Sequence, residues 1–366
     1  MLSQAKSLLL AAIIAVFIYE YTSSEPSRFE FDLKHVDNDQ RDRLFVFLDE
    51  NKDKQLCKTE FKQLFSSLFY SSAEKTSHLV DEDIGVEMLD LIFLHKDKPI
   101  DKNRFDEVWD EWIYKILKPK SALIVVDMQN DFIAGSMPVP NATKIVKPIN
   151  DLMAHFETVV VTIDYHPWDH CSFIESVHNP AIDRPINDYF GKTRDTLIIG
   201  DRVNYTVHPN ITQVLWKTHC VQGTPGADLY AGIHTKQVND LVRVNKGMYS
   251  DIDSYSAFED VGGLHKTILN EELIKRNITN IYLTGVLYEF CVGMTALDGL
   301  RYNYSTAFIE DAVHALTPAL AEKMLERLRQ HSASIITTEN VDHMVTGYDR
   351  RPQMGYILAR RVFGEQ

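Results

Sequence analysis

From Lys120 onward the chain alternates between short continuous apolar runs and longer amphipathic stretches, and this rhythm restricts its fold more than any other feature. The runs Ser121–Val126, Thr158–Ile163, Asp240–Val244, Asn280–Leu287, Ser305–Glu310 and Ala333–Thr338 have the length of strands. A strand with one wet face alternates apolar and polar residues, so uninterrupted runs imply burial on both faces. Helix-length segments lie among them at Ala142–Phe156, Lys266–Arg276, Val292–Tyr302 and Pro318–His331. The alternation predicts an α/β domain with a mainly parallel central sheet and helices on both faces. Ligands of such sheets bind just past the carboxyl ends of the strands.

Polar motifs occupy those ends. Asp127 follows the first strand in Val125-Val-Asp-Met-Gln-Asn-Asp-Phe132, although an Asp at a strand tip is also an ordinary turn former. The second strand runs into Asp164-Tyr-His166-Pro-Trp-Asp-His170, and a third motif is Trp216-Lys-Thr-His219-Cys-Val-Gln-Gly223. Asp164, His166 and His219 make a two-histidine, one-carboxylate set able to hold a divalent metal with open positions. His170 is either a further ligand or a hydrogen-bonding surface residue. Lys246 follows the Asp240–Val244 strand, ahead of Asp253-Ser-Tyr-Ser-Ala-Phe258.

Cys291 lies between the strand Asn280–Leu287 and the helix from Val292. The free N–H groups and positive end of a helix stabilise a thiolate there. A lone cysteine beside an apolar strand is otherwise a small core residue. Asp127, Lys246 and Cys291 nevertheless follow three different strands of one sheet, so a carboxylate, an ammonium and a thiol are expected at one edge.

The ordered set V-V-D-M-Q-N-D-F, D-x-H-P, H-C-V-Q-G-T, K-G…D-S-Y-S-A-F and C-V-x-x-T-A-L-D-G, spread over roughly residues 120–340, resembles nicotinamidases of the isochorismatase-like hydrolase superfamily. The resemblance implies a Rossmann-like fold and deamidation of nicotinamide to nicotinate and ammonia, a step of NAD salvage. It implies Cys291 as nucleophile, Asp127 as general base and later acid, and Lys246 as the adjacent cation. It also implies an oxyanion held by N–H groups near Leu287 and Cys291, with a cis peptide before Leu287. Asp164, His166 and His219 would hold the metal that meets the pyridine nitrogen, with zinc the first choice and iron or manganese compatible. Phe132, Trp216, Leu287 and Phe290 would line the substrate pocket. The chain departs from the family at Lys217, where proline is usual, and at Leu287-Tyr-Glu-Phe290, where Ala-Thr-Asp-Tyr is usual. Both departures fall on the pocket wall and oxyanion loop. The stretch 179–210 exceeds what a minimal member needs and suits a lid or an oligomer contact.

Ahead of this domain, residues 25–118 pattern as short amphipathic helices. The loop from Asp49 to Glu60 places oxygen side chains at Asp49, Asn51, Asp53 and Glu60, with the Gln55 carbonyl between. This spacing resembles a twelve-residue EF-hand calcium loop, flanked by helices Arg41–Leu48 and Phe61–Tyr70. Lys54 stands where glycine allows the sharp turn, and Cys57 where an oxygen donor is usual. A second loop, Phe93–Arg104, ends in arginine instead of the bidentate glutamate, so it should bind no calcium. Pairing through Leu56 and Ile100 is expected in either case. Two readings stand, a structural hand pair and weak calcium binding at the first loop, and the ligand losses favour the first.

The outline is therefore a signal peptide or signal anchor at 1–24, an all-α EF-hand-like domain at 25–118, a hydrolase domain at 119–344 and a C-terminal extension at 345–366. The apolar run Leu8–Tyr19 is shorter than the roughly 20 residues of a membrane span and suits a cleaved signal, which would leave no stable span. Sequons at Asn141, Asn204, Asn210, Asn277 and Asn303 agree with a secreted or lumenal glycoprotein. Four cysteines are too few for a disulfide scaffold. A net charge of -14 without a basic stripe excludes a nucleic-acid partner. The expected partner is nicotinamide, with a homo-oligomer as a further expectation. The competing functions are a cysteine amidase for another small amide and a calcium-binding scaffold with an inactive hydrolase domain. Intact Asp127, Lys246 and Cys291 oppose the scaffold.

Overall fold

The computed structural model describes residues 28–94, 96–206 and 211–364. The N-terminal apolar run, His95 and the sequon residue Asn210 lie outside the described residues. Six strands form one sheet: β1 (Ser121–Val126), β2 (Thr158–Asp164), β3 (Asp240–Lys246), β4 (Asn280–Val286), β5 (Ser305–His314) and β6 (Ser334–Ile336). Their order is β3-β2-β1-β4-β5-β6, and every neighbouring pair is parallel. Strand order reverses between β1 and β4, which makes the cleft above that pair the expected ligand position.

The apolar runs work by parity. Ala122, Ile124 and Val126 face one layer with Val160, Val242 and Leu283, and they pack on the helices Leu269–Lys275, Gly293–Arg301 and Pro318–Gln330. Leu123 and Val125 face the other layer with Val159, Val161 and Ala307, against the helix Val146–Met153 and the helix Thr338–Val345. Each such valine, leucine or isoleucine contributes about 1.5–3 kcal/mol relative to exposure. β2 and β3 run one and two residues past their expected ends, so Asp164 and Lys246 are the last residues of their strands.

The helical unit consists of two helix–loop–helix pairs. Its loops meet as a short antiparallel bridge with Leu56 opposite Ile100. The expected helix Phe61–Tyr70 is instead two short helices, Lys58–Lys62 and Leu64–Leu68. Aromatic side chains from both pairs, including Phe61, Phe69, Phe105 and Trp112, fill its core.

The C-terminal segment is not a loose extension. Its helix Pro352–Phe363 buries Met354 through Ala359, continuing the core of the helical unit onto β5. The Trp112 indole donates to the Gly355 carbonyl at 2.8 Å, and the Ser305 hydroxyl to the Met354 carbonyl at 2.7 Å. Just before this helix, Asp349 accepts from His78 Nε2 at 2.6 Å and from Arg351 at 2.8 Å. Burial alone would raise the Asp349 carboxyl, but the His78 hydrogen bond and the Arg351 charge outweigh it and hold it below the ordinary value of 3.8. A depressed carboxyl stabilises the fold above its unfolded pKa and loses that contribution as pH falls through the folded one. Asp349→Asn should therefore lower the urea midpoint at pH 7, and the gap from the parent should shrink once pH drops below 3.8. A gap that stayed constant with pH would show that the charge contributes nothing. Among the described residues no helix is long and apolar enough to cross a membrane.

Candidate active site

Asp127 leaves β1 with φ at 52°, turning its carboxylate back over the sheet. Thr162 on β2 fixes it: the Thr162 hydroxyl donates to Asp127 Oδ1 at 2.5 Å and accepts from the Asp127 N–H at 3.1 Å. Lys246 at the end of β3 is buried with its Nζ 3.0 Å from Asp127 Oδ2, 2.5 Å from Asp164 Oδ1 and 3.4 Å from Cys291 Sγ. The Ser254 carbonyl takes a further hydrogen bond at 2.9 Å. One ammonium at the end of β3 thus gathers two carboxylates and a thiol from three other strand ends.

Cys291 sits inside a π-helical turn, Tyr288–Val292, that runs into the helix Gly293–Arg301. The helix begins earlier than the sequence suggests, so the thiol lies in its first turn and not ahead of it. The Thr295 hydroxyl donates to the Cys291 carbonyl at 2.6 Å. The peptide between Val286 and Leu287 is cis. Among the described residues the Leu287 N–H meets no acceptor.

Burial dominates the electrostatics. It pushes the Cys291 thiol well up; Lys246 opposes that rise, and the Asp127 and Asp164 carboxylates add to it. Burial thus favours the thiol form of Cys291, against the thiolate that a helix end alone would favour. Burial likewise raises the Asp127 carboxyl against the pull of Lys246. Lys246 goes well above its ordinary value, because its two carboxylate neighbours outweigh the burial penalty. The arrangement holds a protonated nucleophile beside a carboxyl displaced toward neutrality, which is how a general base is poised.

One donor atom from each of Asp164, His166 and His219 lies within 4.8 Å of the others. His166 Nδ1 hydrogen-bonds the Gly247 carbonyl at 2.9 Å and His219 Nδ1 the Lys217 carbonyl at 2.7 Å. Those bonds place the ring protons on Nδ1 and leave both Nε2 lone pairs facing Asp164 Oδ2, at 3.4 and 3.8 Å. Histidine ligands of metals are oriented this way, so the set fits a divalent cation. His170 does not join it: its ring nitrogens bond Ser172 and the Ile252 carbonyl, and it supports His166 from behind at 4.1 Å between ring centres.

Gly247 makes this orientation possible. Its φ is 62°, and a Cβ there would fall 2.4 Å from the His166 ring. Gly247→Ala should displace His166 and weaken metal binding about 10–100-fold, read as metal retained after equilibrium dialysis. Undiminished metal content would contradict that role for the ring.

A cavity opens above Cys291, and Phe132, Trp216, Leu287 and Phe290 all line it together with Asp164, His166 and His219. The Trp216 and Phe290 rings meet edge to face at 5.0 Å. The sequence assigned no role to Met137, Asp253 or Tyr255, which also line the cavity. Nor did it assign one to Gln129, whose side chain bonds the Asp164 N–H and carbonyl, both at 2.8 Å. Asp131 similarly anchors the His219 loop through the Cys220 N–H at 2.7 Å. Gly226 approaches that carboxylate so closely that a Cβ would fall 2.2 Å from it. Gln129, Asp131 and Tyr255 lie within the quoted motifs, which was the available signal.

Fold and site define the protein as a hydrolase built on a parallel α/β sheet, with a buried cysteine at the switch point of that sheet. It belongs to the isochorismatase family, whose model, the Isochorismatase domain, matches residues 121–340. The chain is 35% identical to the nicotinamidase of Saccharomyces cerevisiae over 225 residues, covering 58% of this chain and 98% of the relative. It is 36% identical to the nicotinamidase of Acinetobacter baylyi over 197 residues, covering 53% and 81%. A solved nicotinamidase/pyrazinamidase from Acinetobacter baumanii superposes with a TM-score of 0.52 at 32% identity, covering 61% of this chain and 98% of that one.

Proposed function

We propose that the protein is a nicotinamidase, hydrolysing nicotinamide to nicotinate and ammonia through a thioester on Cys291. The observation that carries this reading is the convergence of Lys246 Nζ on Asp127 and Cys291 at the floor of an aromatic-walled cavity. Nicotinamidase relatives covered almost end to end supply the substrate. Asp127 takes the thiol proton while Lys246 offsets the negative charge left on sulfur. A C–S bond forms at the carboxamide carbon, and the Leu287 and Cys291 N–H groups receive the oxyanion. Asp127 returns its proton to the nitrogen, the C–N bond breaks and ammonia leaves. Asp127 then draws a proton from water as its oxygen adds to the thioester carbon; the C–S bond breaks, the proton passes from Asp127 to sulfur, and nicotinate leaves.

Asp164, His166 and His219 would hold the metal, zinc by preference for this donor set with iron or manganese compatible. When bound it supplies a Lewis-acidic anchor for the pyridine nitrogen. Phe132, Trp216 and Phe290 would wall in the flat ring, with Leu287 also lining the cavity. The test is ammonia release from nicotinamide by purified protein, set beside pyrazinamide, benzamide and aliphatic amides. Release confined to another amide would transfer the mechanism to a different substrate.

The helical unit is best accounted for as a degenerate EF-hand pair with a structural role. Glu60 spends its carboxylate on the Cys57 N–H at 2.9 Å and the Asn51 N–H at 3.5 Å, while Asp49 and Asp53 accept other N–H groups of the loop. Lys54 occupies the position needing positive φ, at 65°. Calorimetric titration with calcium should give a flat trace; an isotherm abolished by Glu60→Gln would contradict the structural role. Exposed sequon residues Asn141 and Asn277 support a secreted glycoprotein. A mobility shift of the natural protein on N-glycosidase treatment tests that.

A further inference from the structure

The stretch between the metal loop and the His219 motif folds as a three-stranded antiparallel sheet, Ile186–Asp188, Arg202–Tyr205 and Thr212–Val214. It has its own small core around Leu197, Val203 and Tyr205. Gln213, opposite Val203 and on the same face of this sheet, is the polar residue at the edge of that core and is almost fully buried, at 1% exposure. Its amide nitrogen lies 2.7 Å from the Val214 carbonyl, 2.9 Å from Asp253 Oδ2 and 3.3 Å from the Tyr255 hydroxyl. A carbonyl and a carboxylate only accept hydrogen bonds, so the amide orientation is fixed with nitrogen toward them. Tyr255 also receives the Trp216 indole N–H at 3.3 Å. The two protons of the Gln213 amide go to the nearer Val214 carbonyl and Asp253, leaving its nitrogen packed against a Tyr255 oxygen that accepts from Trp216. With no protein acceptor among the described residues, the Tyr255 hydroxyl keeps its proton for the cavity that it lines.

We propose that Gln213 is a positioning residue through which the inserted sheet sets substrate affinity, holding Asp253 and Tyr255 so that the tyrosine hydroxyl donates to an acceptor on the bound amide. The inference rests on the cavity being the amide site. It gives the insertion a role that neither a lid nor an oligomer contact supplies: its third strand backs the pocket wall from behind, through Gln213 on Asp253 and Tyr255. Gln213 itself touches no reacting atom, so its loss should act on substrate binding before it acts on turnover.

The experiment compares kcat and KM for the parent, Gln213→Met, Tyr255→Phe and the double variant. Methionine keeps the volume and removes the amide. The loss of one buried hydrogen bond predicts a KM about tenfold higher in each single variant, with kcat within about threefold of the parent. The double variant should be no worse than the weaker single one, because both remove the same contact. Where the methionine variant fails to fold, Gln213→Asn withdraws the amide by one methylene and should give the same rise. A parental KM in the Gln213 variant, or an effect fully additive with Tyr255→Phe, overturns the proposal. A parent inactive on nicotinamide removes only the substrate assignment, and the same split is then read on the amide it does hydrolyse.

Discussion

Cys291→Ala should lower amide hydrolysis at least about ten-thousandfold, the scale seen when a covalent nucleophile is removed. The reason is positional as well as chemical. Sγ is the group at the cavity floor that is 3.4 Å from Lys246 Nζ and within 4.8 Å of an Asp127 oxygen. No neighbouring thiol can substitute: Cys220 and Cys171 are buried elsewhere and do not line the cavity. Cys291→Ser keeps the shape but offers an alcohol that the Asp127 carboxylate is too weak a base to activate, so it should fare little better. Folding should be nearly unaffected, since removing one sulfur from the edge of a cavity leaves no unpaired charge. Equal thermal midpoints with lost ammonia release are the expected pair of results. Retained release would remove the cysteine from the chemistry.

Lys246→Met should be damaging in both respects. The ammonium is the shared partner of Asp127 and Asp164, all three being buried. Removing one member of a buried charge cluster costs about 3–5 kcal/mol, because its partners remain desolvated and unpaired. Asp127, already displaced upward, can relieve part of this by holding a proton. That relief disables it as a base, so stability and activity are lost through one group. A drop of at least about a thousandfold in turnover is expected, on the scale of losing a positioned proton-transfer partner, together with a lower urea midpoint. The contrast with Cys291→Ala is diagnostic: one variant loses activity alone, the other loses activity and stability. If Lys246→Met folds as well as the parent, the buried charges are neutralised by some other means.

How much of this was written in the sequence depends on the kind of interaction. The strands were legible because burial on both faces leaves no polar residue inside a run such as Leu123–Val126. Asp127, Lys246 and Cys291 were legible as a group because a parallel sheet delivers every strand end to one edge. The start of the helix at Tyr288 was not, since a π-helical turn has no side-chain period of its own. Strand ends were misplaced for a related reason. Asp164 and Lys246 are charged and read as loop, yet each extends its strand because the charges neutralise one another inside the protein. The helix Pro352–Phe363 looked like an extension because its apolar face has meaning only against Trp112 and Phe69. Gln129, Thr162 and Gln213 are polar residues whose partners are distant in sequence, and only the folded chain pairs them.

The central claim is a thioester at Cys291, and partitioning with hydroxylamine tests it most directly. An acyl-enzyme formed from nicotinamide should divide between water and hydroxylamine, giving nicotinohydroxamate in proportion to the amine while ammonia release is not slowed. Cys291→Ala should give neither product. Nicotinate as the sole product at every hydroxylamine concentration, or hydroxamate formed equally well by Cys291→Ala, would contradict the account.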